Sequence, residues 1–293
     1  MPIRSVRRSA RAPMGRRCFL DLPFSDSVSI APLWRHSTYP AFFPSFPHMI
    51  HVERDRFRSR GTRMTDDSND TGDETSGVSD SAVDLPIVTA DDLVDAPVPT
   101  GRVGCVVLAA GTSSRFGDAN KLLAEIEGEP LVRRAAASAL ASPVEAVVVV
   151  VGHEASAVRE ALSELDVGFV TNDDYAAGQS TSVHAGVVAA RERGWDAAVF
   201  ALGDMPRVDP DSIERLLRAY AAGHGTILAA AYDRKRGNPT LFDAVHFDSL
   251  ATIEGDTGGR ELILGSDDAA LVATDDPGVL RDVDRRADVD QLD

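Results

Sequence analysis

Two cysteines, Cys18 and Cys105, are all that the 293 residues contain. A disulfide framework and a cysteine-based metal site are therefore excluded, and a reducing cytoplasm fits. Lysine is equally scarce, with Lys121 and Lys235 the only two. Long apolar runs are missing as well. Runs such as "AVVVVV" at 146–151 fall far short of the ~20 residues that span a bilayer.

What is present divides sharply by charge. Residues 1–63 hold 12 arginines against 4 acidic residues, whereas 64–293 hold 18 basic and 42 acidic residues. Two stretches of such opposite charge are not expected to share a core. The first also carries 8 of the 17 aromatics and shows no sustained period of 2 or 3.6. Its Arg-rich, acid-poor composition fits an organellar transit peptide. It fits equally a non-native or disordered N-terminal extension ahead of a true start at Met64, and the abrupt change at "RMTDDSNDTGDE" favours the latter. Residues 64–100, acidic and poor in large apolar side chains, read as a disordered lead-in. That leaves 101–293 as the folded domain. Its acidity and lack of lysine argue against nucleic acid or an anionic membrane as partner.

From residue 102 short apolar runs alternate with helix-like segments. The runs are "VGCVVLA" (103–109), "EAVVVVV" (145–151), "VGFVT" (167–171), "AAVFAL" (197–202) and "TILAAAY" (226–232). They are near-continuous, as strands buried on both faces should be. Helices are expected at 130–141, 154–165, 180–193 and 210–222, the last with Asp209 as N-cap and Pro210 at its first position. This alternation implies an α/β fold with a mostly parallel sheet covered on both sides. Beyond 236 the pattern loosens to short strands near 238–242, 269–273 and 279–283 and a helix over 258–264. Ligands of such sheets sit beyond the C-terminal strand ends. Three polar loops follow strand ends here: the one after Ala110, "TNDDYAAGQS" and "LGDMP".

The first of these loops belongs to "VVLAAGTSSRFGDANKLL" (106–123). It is neither a P-loop, since Gly111 and Gly117 are six apart and Asp118 follows, nor a GxGxxG dinucleotide turn. Two readings stand on the residues alone. One is an ordinary strand–helix connection with solvated charges. The other is an anion nest in which backbone N–H groups, Arg115 and Lys121 hold a polyphosphate. Asp204, in a Gly-Asp-x-Pro turn at a strand end, is either a turn residue or a hard oxygen ligand for Mg²⁺. Asp282 and Asp284 would point the same way in an extended segment, and Asp256 is a third carboxylate to weigh. Gln179, Ser180, Thr181 and Ser182 fall at a helix N-terminus, where they serve as caps or as contacts to base, ribose or phosphate.

Taken in order, these motifs resemble the molybdenum cofactor nucleotidyltransferases and their wider NTP-transferase relatives. "LAAGTSSRFGDANKLL" is similar to their LAAGxSxRMGxxK-L signature, and "GQSTSVHAGV" (178–187) to GxSxSLxxGV. "LGDMP" (202–206) matches the metal motif, "RGNPTLF" (236–242) RGNPxLF, "GDTGGRELI" (255–263) GDxGAR, and "RDVDRRADV" (281–289) the closing DIDTPED. The resemblance covers about residues 103–290 and is nearest to the cytidylyltransferase branch. Departures are Phe116 for Met, His184 for a Leu-Arg type pair, and "DRRAD" for "DTPED".

The resemblance implies a three-layer α/β/α sandwich with a Rossmann-like central sheet, of the nucleotide-diphospho-sugar transferase type. It implies CMP transfer from CTP to the phosphate of molybdenum-loaded molybdopterin in the cytoplasm, with a transient contact to a recipient molybdoenzyme. Lys121, Arg115 and Asp204 would carry the chemistry, with Asp204 and Asp284 on Mg²⁺. Leu108, Ala109, Ala110, Gly111, Ser113, Gln179, Ser180, Ser182 and Gly186 would contact the nucleotide. Asn238, Asp256 and Arg260 would face the acceptor. Ala110, where the guanylyl branch tends to glycine, points to CTP. His184 has no catalytic role, because a phosphate nucleophile is already ionised at neutral pH, and His153 reads as a loop residue. Guanylyl transfer, another phosphorylated acceptor, and a nucleotide-sensing or cofactor-delivery module without turnover are the alternatives.

Overall fold

The computed structural model of the chain describes residues 85–97, 101–114, 116–117, 119–255 and 259–290, all within the unit Glu74–Asp293. In chain order the elements begin with β1 (Ile87–Val88), β2 (Val103–Ala109), the small hairpin β3 (Glu125–Ile126) and β4 (Glu129–Pro130), and α1 (Leu131–Ala141). There follow β5 (Val147–Val151), α2 (Ala155–Ala161), β6 (Gly168–Thr171), α3 (Gln179–Glu192), β7 (Ala197–Leu202) and α4 (Pro210–Ala221). The chain continues through β8 (Ile227–Tyr232), β9 (Lys235–Asp243), α5 (Phe247–Leu250), α6 (Arg260–Gly265), β10 (Ala269–Ala273) and α7 (Arg286–Asp290).

The main sheet runs β1-β10-β8-β9-β7-β2-β5-β6. Every pairing is parallel except those of β9, which is antiparallel to both β7 and β8. The five valines of β5 are all buried, as a strand covered on two faces requires. Alternate side chains on β2 enter opposite cores. Cys105, Val107 and Ala109 pack with Val132 and Ala136 of α1, Val158 of α2 and Ile213 and Leu216 of α4. Val106 packs with Val183 and Val187 of α3, Phe247 of α5 and Ile263 of α6. The result is three layers, with helices on both faces of a mostly parallel sheet.

The order of the strands locates the functional edge. From β2 the chain moves through α1 to β5 and through α2 to β6, then returns by α3 to β7 on the other side of β2. The C-terminal ends of β2 and β7 therefore flank the switch in strand order, where a crevice opens in sheets of this kind. At α4 the expected cap is present: the Asp209 carboxylate accepts from the Asp211 N–H at 2.9 Å, with Pro210 opening the helix.

Two expectations differ from the structure. Residues 279–283 are not a strand. Pro277–Leu280 forms a 3-10 turn whose cap, Asp276, accepts from the Gly278 N–H at 2.6 Å, because a Pro-Gly pair is unsuited to a ladder. The lead-in expected over 64–100 is in part folded. Ile87 and Val88 pair with Leu271 and Val272 at the edge of the sheet, and Leu93, 6% exposed, joins the core. Leu93→Ala should lower stability by about 2–3 kcal/mol in urea unfolding, whereas an unattached lead-in would leave the midpoint unchanged.

Candidate active site

The loop after β2 folds around its own polar side chains. Ser113, at φ 56°, is buried, and its Oγ accepts from the Lys121 N–H at 3.1 Å and donates to Asn120 Oδ1 at 3.3 Å. The same Asn120 oxygen accepts from the Leu122 N–H at 3.0 Å, capping the short 3-10 turn Lys121–Leu123. These bonds fix where the Lys121 side chain departs. On the neighbouring strand the Gly203 N–H donates to Leu108 O at 2.9 Å. A Cβ at Gly203 would lie 3.1 Å from that oxygen, so the close approach of β7's exit to β2 favours a glycine. Asp204 comes next.

The closing segment is brought to the same place. Val283 donates its N–H to Asp204 O at 3.0 Å, and its side chain is buried with Phe116, Ile126 and Leu131. Asp288 accepts from the N–H groups of Asp284 and Arg285 at 3.0 and 2.7 Å. Asp282 and Asp284 consequently flank Asp204, with one carboxylate oxygen of each within 4.8 Å of the others. Lys121 Nζ sits among them, 2.6 Å from Asp204 Oδ2 and 3.3 Å from Asp284 Oδ1.

Charge sets the protonation of this cluster. Burial alone would push the Lys121 ammonium down, but Asp204 and then Asp284 outweigh it and hold its pKa above the ordinary value. The Asp282 carboxyl is raised, first by desolvation and then by the charges of Asp204 and Asp284. Asp204 Oδ1 is buried without a protein partner. An orphaned carboxylate oxygen is costly unless a cation meets it, and three carboxylates at this spacing suit a hard divalent metal. The donor set therefore fits such an ion.

Most of the residues expected to contact nucleotide and metal line one cavity of about 490 Å³: Leu108, Ala109, Ala110, Gly111, Ser113, Lys121, Gln179, Ser182, Asp204 and Asp284. Asp282, Thr112 and Tyr175 join them. All three polar loops converge here. Other expected residues lie elsewhere. Ser180, 3% exposed, gives its N–H to Gly255 O at 3.0 Å and is not on the wall. Gly186 is buried against the sheet, where a Cβ would lie 2.7 Å from Val106 Cγ1 and 3.0 Å from Phe200 Cε1. It is a helix–sheet packing glycine and makes no part of the cavity. Asn238 lies in a separate small space with Ala135, Ser138 and Met205, and Arg260 opens α6 away from the cavity lining. Arg115 and Asp256 lie outside the described residues.

Two contributors had no motif to announce them. Asn172, 6% exposed, donates to Thr181 Oγ1 at 2.9 Å and Ser182 Oγ at 3.0 Å and accepts from the Asp174 N–H at 3.0 Å. It joins the loop after β6 to the start of α3. Tyr175 follows on that loop. Asn and Asp in "NDDY" mark a turn, but not its partners. Cys105 lies on β2 beneath the cavity, and burial pushes its thiol up to about 12, which makes it a core residue and not a nucleophile.

A lysine and three carboxylates beside a polar cavity at the switch point of this sheet suit phosphoryl chemistry. Residues 105–270 match the MobA-like NTP transferase domain, more than half of the chain, and the protein belongs to that family. It is 33% identical over 174 residues to nicotine blue oxidoreductase of Paenarthrobacter nicotinovorans, covering 57% of this chain and 81% of that protein. A nucleotidyl transferase from Methanothermobacter superposes with a TM-score of 0.56 at 28% identity, over 65% of this chain and 95% of that one. Rv0371c of Mycobacterium tuberculosis, solved in complex with manganese, superposes at 0.54 and 27% identity, over 65% and 97% of the two chains.

Gly186→Ala should cost about 1–3 kcal/mol through overpacking against Val106 and Phe200, read as a lower urea midpoint. An unchanged midpoint would contradict the packing role.

Proposed function

We propose that the protein transfers CMP from CTP to the terminal phosphate of molybdenum-loaded molybdopterin, in the cytoplasm, with Mg²⁺ held by Asp204, Asp284 and Asp282. The observation that carries this reading is the placement of Lys121 between Asp204 and Asp284, beside the buried, partnerless Asp204 oxygen. The manganese complex of Rv0371c supports the use of a divalent ion. The ordered run of motifs and Ala110 on the cavity wall support cytidylyl transfer.

In this reaction an oxygen of the acceptor phosphate forms a bond to the α-phosphorus of CTP. The bond from that phosphorus to the β-phosphate oxygen breaks, and pyrophosphate leaves with the electron pair. No proton has to be removed from the acceptor, so the site needs no general base. Magnesium, when bound, supplies positive charge to the phosphate oxygens and orients them for in-line displacement. Lys121 shifts from its carboxylates to the triphosphate and neutralises the charge that develops on the leaving group. Ser113 and Asn120 hold the Lys121 backbone, and the proposed role of Arg115 is a second, forked contact to phosphate. Gln179 and Ser182 also line the cavity, and their proposed role is to receive sugar or base.

The name of the Paenarthrobacter relative describes a redox reaction. The carboxylate cluster with its lysine is the reason for reading phosphorus chemistry here. Pyrophosphate release by the full chain, with Mg²⁺ and molybdenum-loaded molybdopterin, tests it. CTP should support turnover over GTP, ATP and UTP, and Lys121→Ala and Asp204→Ala should each lower it about 100-fold or more while remaining folded. Release with GTP alone would keep the chemistry and move the protein to guanylyl transfer. Wild-type rates in either variant would overturn the assigned site.

A further inference from the structure

The cavity is chemically unequal along its length. At the exit of β7 it carries Asp204, and Lys121 beside it. At the exits of β5 and β6 it carries Tyr175, the one aromatic among the described residues of its wall. Between the two ends lies β2, in the strand order β7-β2-β5-β6. Two to three inter-strand steps of ~4.8 Å separate the charged end from the aromatic one, a span on the order of 10 Å and comparable to that from the phosphates of a nucleotide to its base.

Tyr175 is held rather than loose. Gly152, just past β5, has no side chain, and a Cβ there would come within 2.8 Å of Tyr175 Cβ, 2.9 Å of its Cγ and 2.9 Å of Ala110 Cβ. The missing methyl lets the tyrosine close directly onto the end of β5 beside Ala110. The His153 ring lies at 5.9 Å and 51° to the Tyr175 ring, and the His153 N–H donates to Ala110 O at 3.1 Å. Asn172 anchors the loop that carries the tyrosine, through the Asp174 N–H before it and the Thr181 and Ser182 hydroxyls at the start of α3. A ring ordered in advance loses little freedom when a ligand stacks on it.

Resting on the reading of this cavity as a nucleotide site, we propose that Tyr175 is the stacking platform for the nucleobase, with the phosphates directed across β2 toward Lys121 and Asp204. Every base has a π-face, so Tyr175 supplies affinity for a base-bearing ligand. Choice among bases is left to the edge contacts beside Ala110. Gly152 is a positioning residue that lets the ring close beside Ala110.

Calorimetric titration of the full chain, with Mg²⁺ present, separates the ring from the charges by using CTP, GTP and the base-free probe inorganic tripolyphosphate. Tyr175→Ala should weaken CTP binding roughly tenfold or more and leave tripolyphosphate binding unchanged. Tyr175→Phe should bind CTP as the wild type does. Gly152→Ala, whose methyl meets both the ring and Ala110 Cβ, should weaken CTP in the same direction as Tyr175→Ala and leave tripolyphosphate binding unchanged. Equal CTP affinity in Tyr175→Ala and wild type would overturn the stacking role while leaving the nucleotide site standing. Equal losses for CTP and tripolyphosphate would overturn it too, by showing a structural role. A wild-type chain that binds tripolyphosphate but neither nucleotide more tightly would overturn both this inference and the reading beneath it.

Discussion

Three carboxylates with oxygens within 4.8 Å of one another repel, and among the described residues Lys121 is an ammonium that the fold sets against two of them. Each like-charged pair costs about 3 kcal/mol at an effective dielectric near 20, and less where water screens Asp282. A cluster of three acids around one ammonium suits a divalent ion. The buried Asp204 oxygen with no protein partner marks where the cluster's negative charge is least satisfied. The rest of the site is arranged around this balance. The Ser113–Asn120 bonds aim the lysine, Gly203 lets Asp204 emerge beside β2, and the Val283–Asp204 backbone bond draws the two remote aspartates into range.

The choice of lysine follows from the same geometry. In a chain with two lysines and 28 arginines, the position facing two carboxylates and a phosphate cavity is given to the compact point charge on a flexible stem. A guanidinium forks onto one carboxylate with fixed geometry, whereas an ammonium can bridge two and then turn to a ligand. Binding metal and nucleotide together lets the lysine exchange carboxylates for phosphate without leaving either buried charge uncompensated.

What could be read from the sequence was whatever depends on neighbours along the chain. The valine run of β5, the Asp209–Pro210 start of α4 and the glycine-rich exit of β2 are local, and they stand where the pattern puts them. Misread features depend on contacts remote in sequence. Ile87–Val88 is a two-residue strand that exists only by pairing with Leu271–Val272, about 180 residues on, and nothing in the acidic stretch around it signals that. Gly186, inside a nucleotide-binding motif, could serve a ligand or a neighbouring strand, and only the distance to Val106 decides. Asn172 looks like a turn residue until Thr181 and Ser182 are folded back onto it. Val283 shows the same limit from the other side: aspartates two apart were visible, but not the backbone bond that brings them to Asp204.

The central claim is that Asp204, with Asp282 and Asp284, holds a divalent cation at the switch point of the sheet. Manganese binding to the full chain, followed by electron paramagnetic resonance, tests it without any substrate. The account requires saturable binding that weakens at least about tenfold in Asp204→Asn, which keeps the side chain's shape and removes its charge. Equal manganese affinity in the wild type and Asp204→Asn would contradict it.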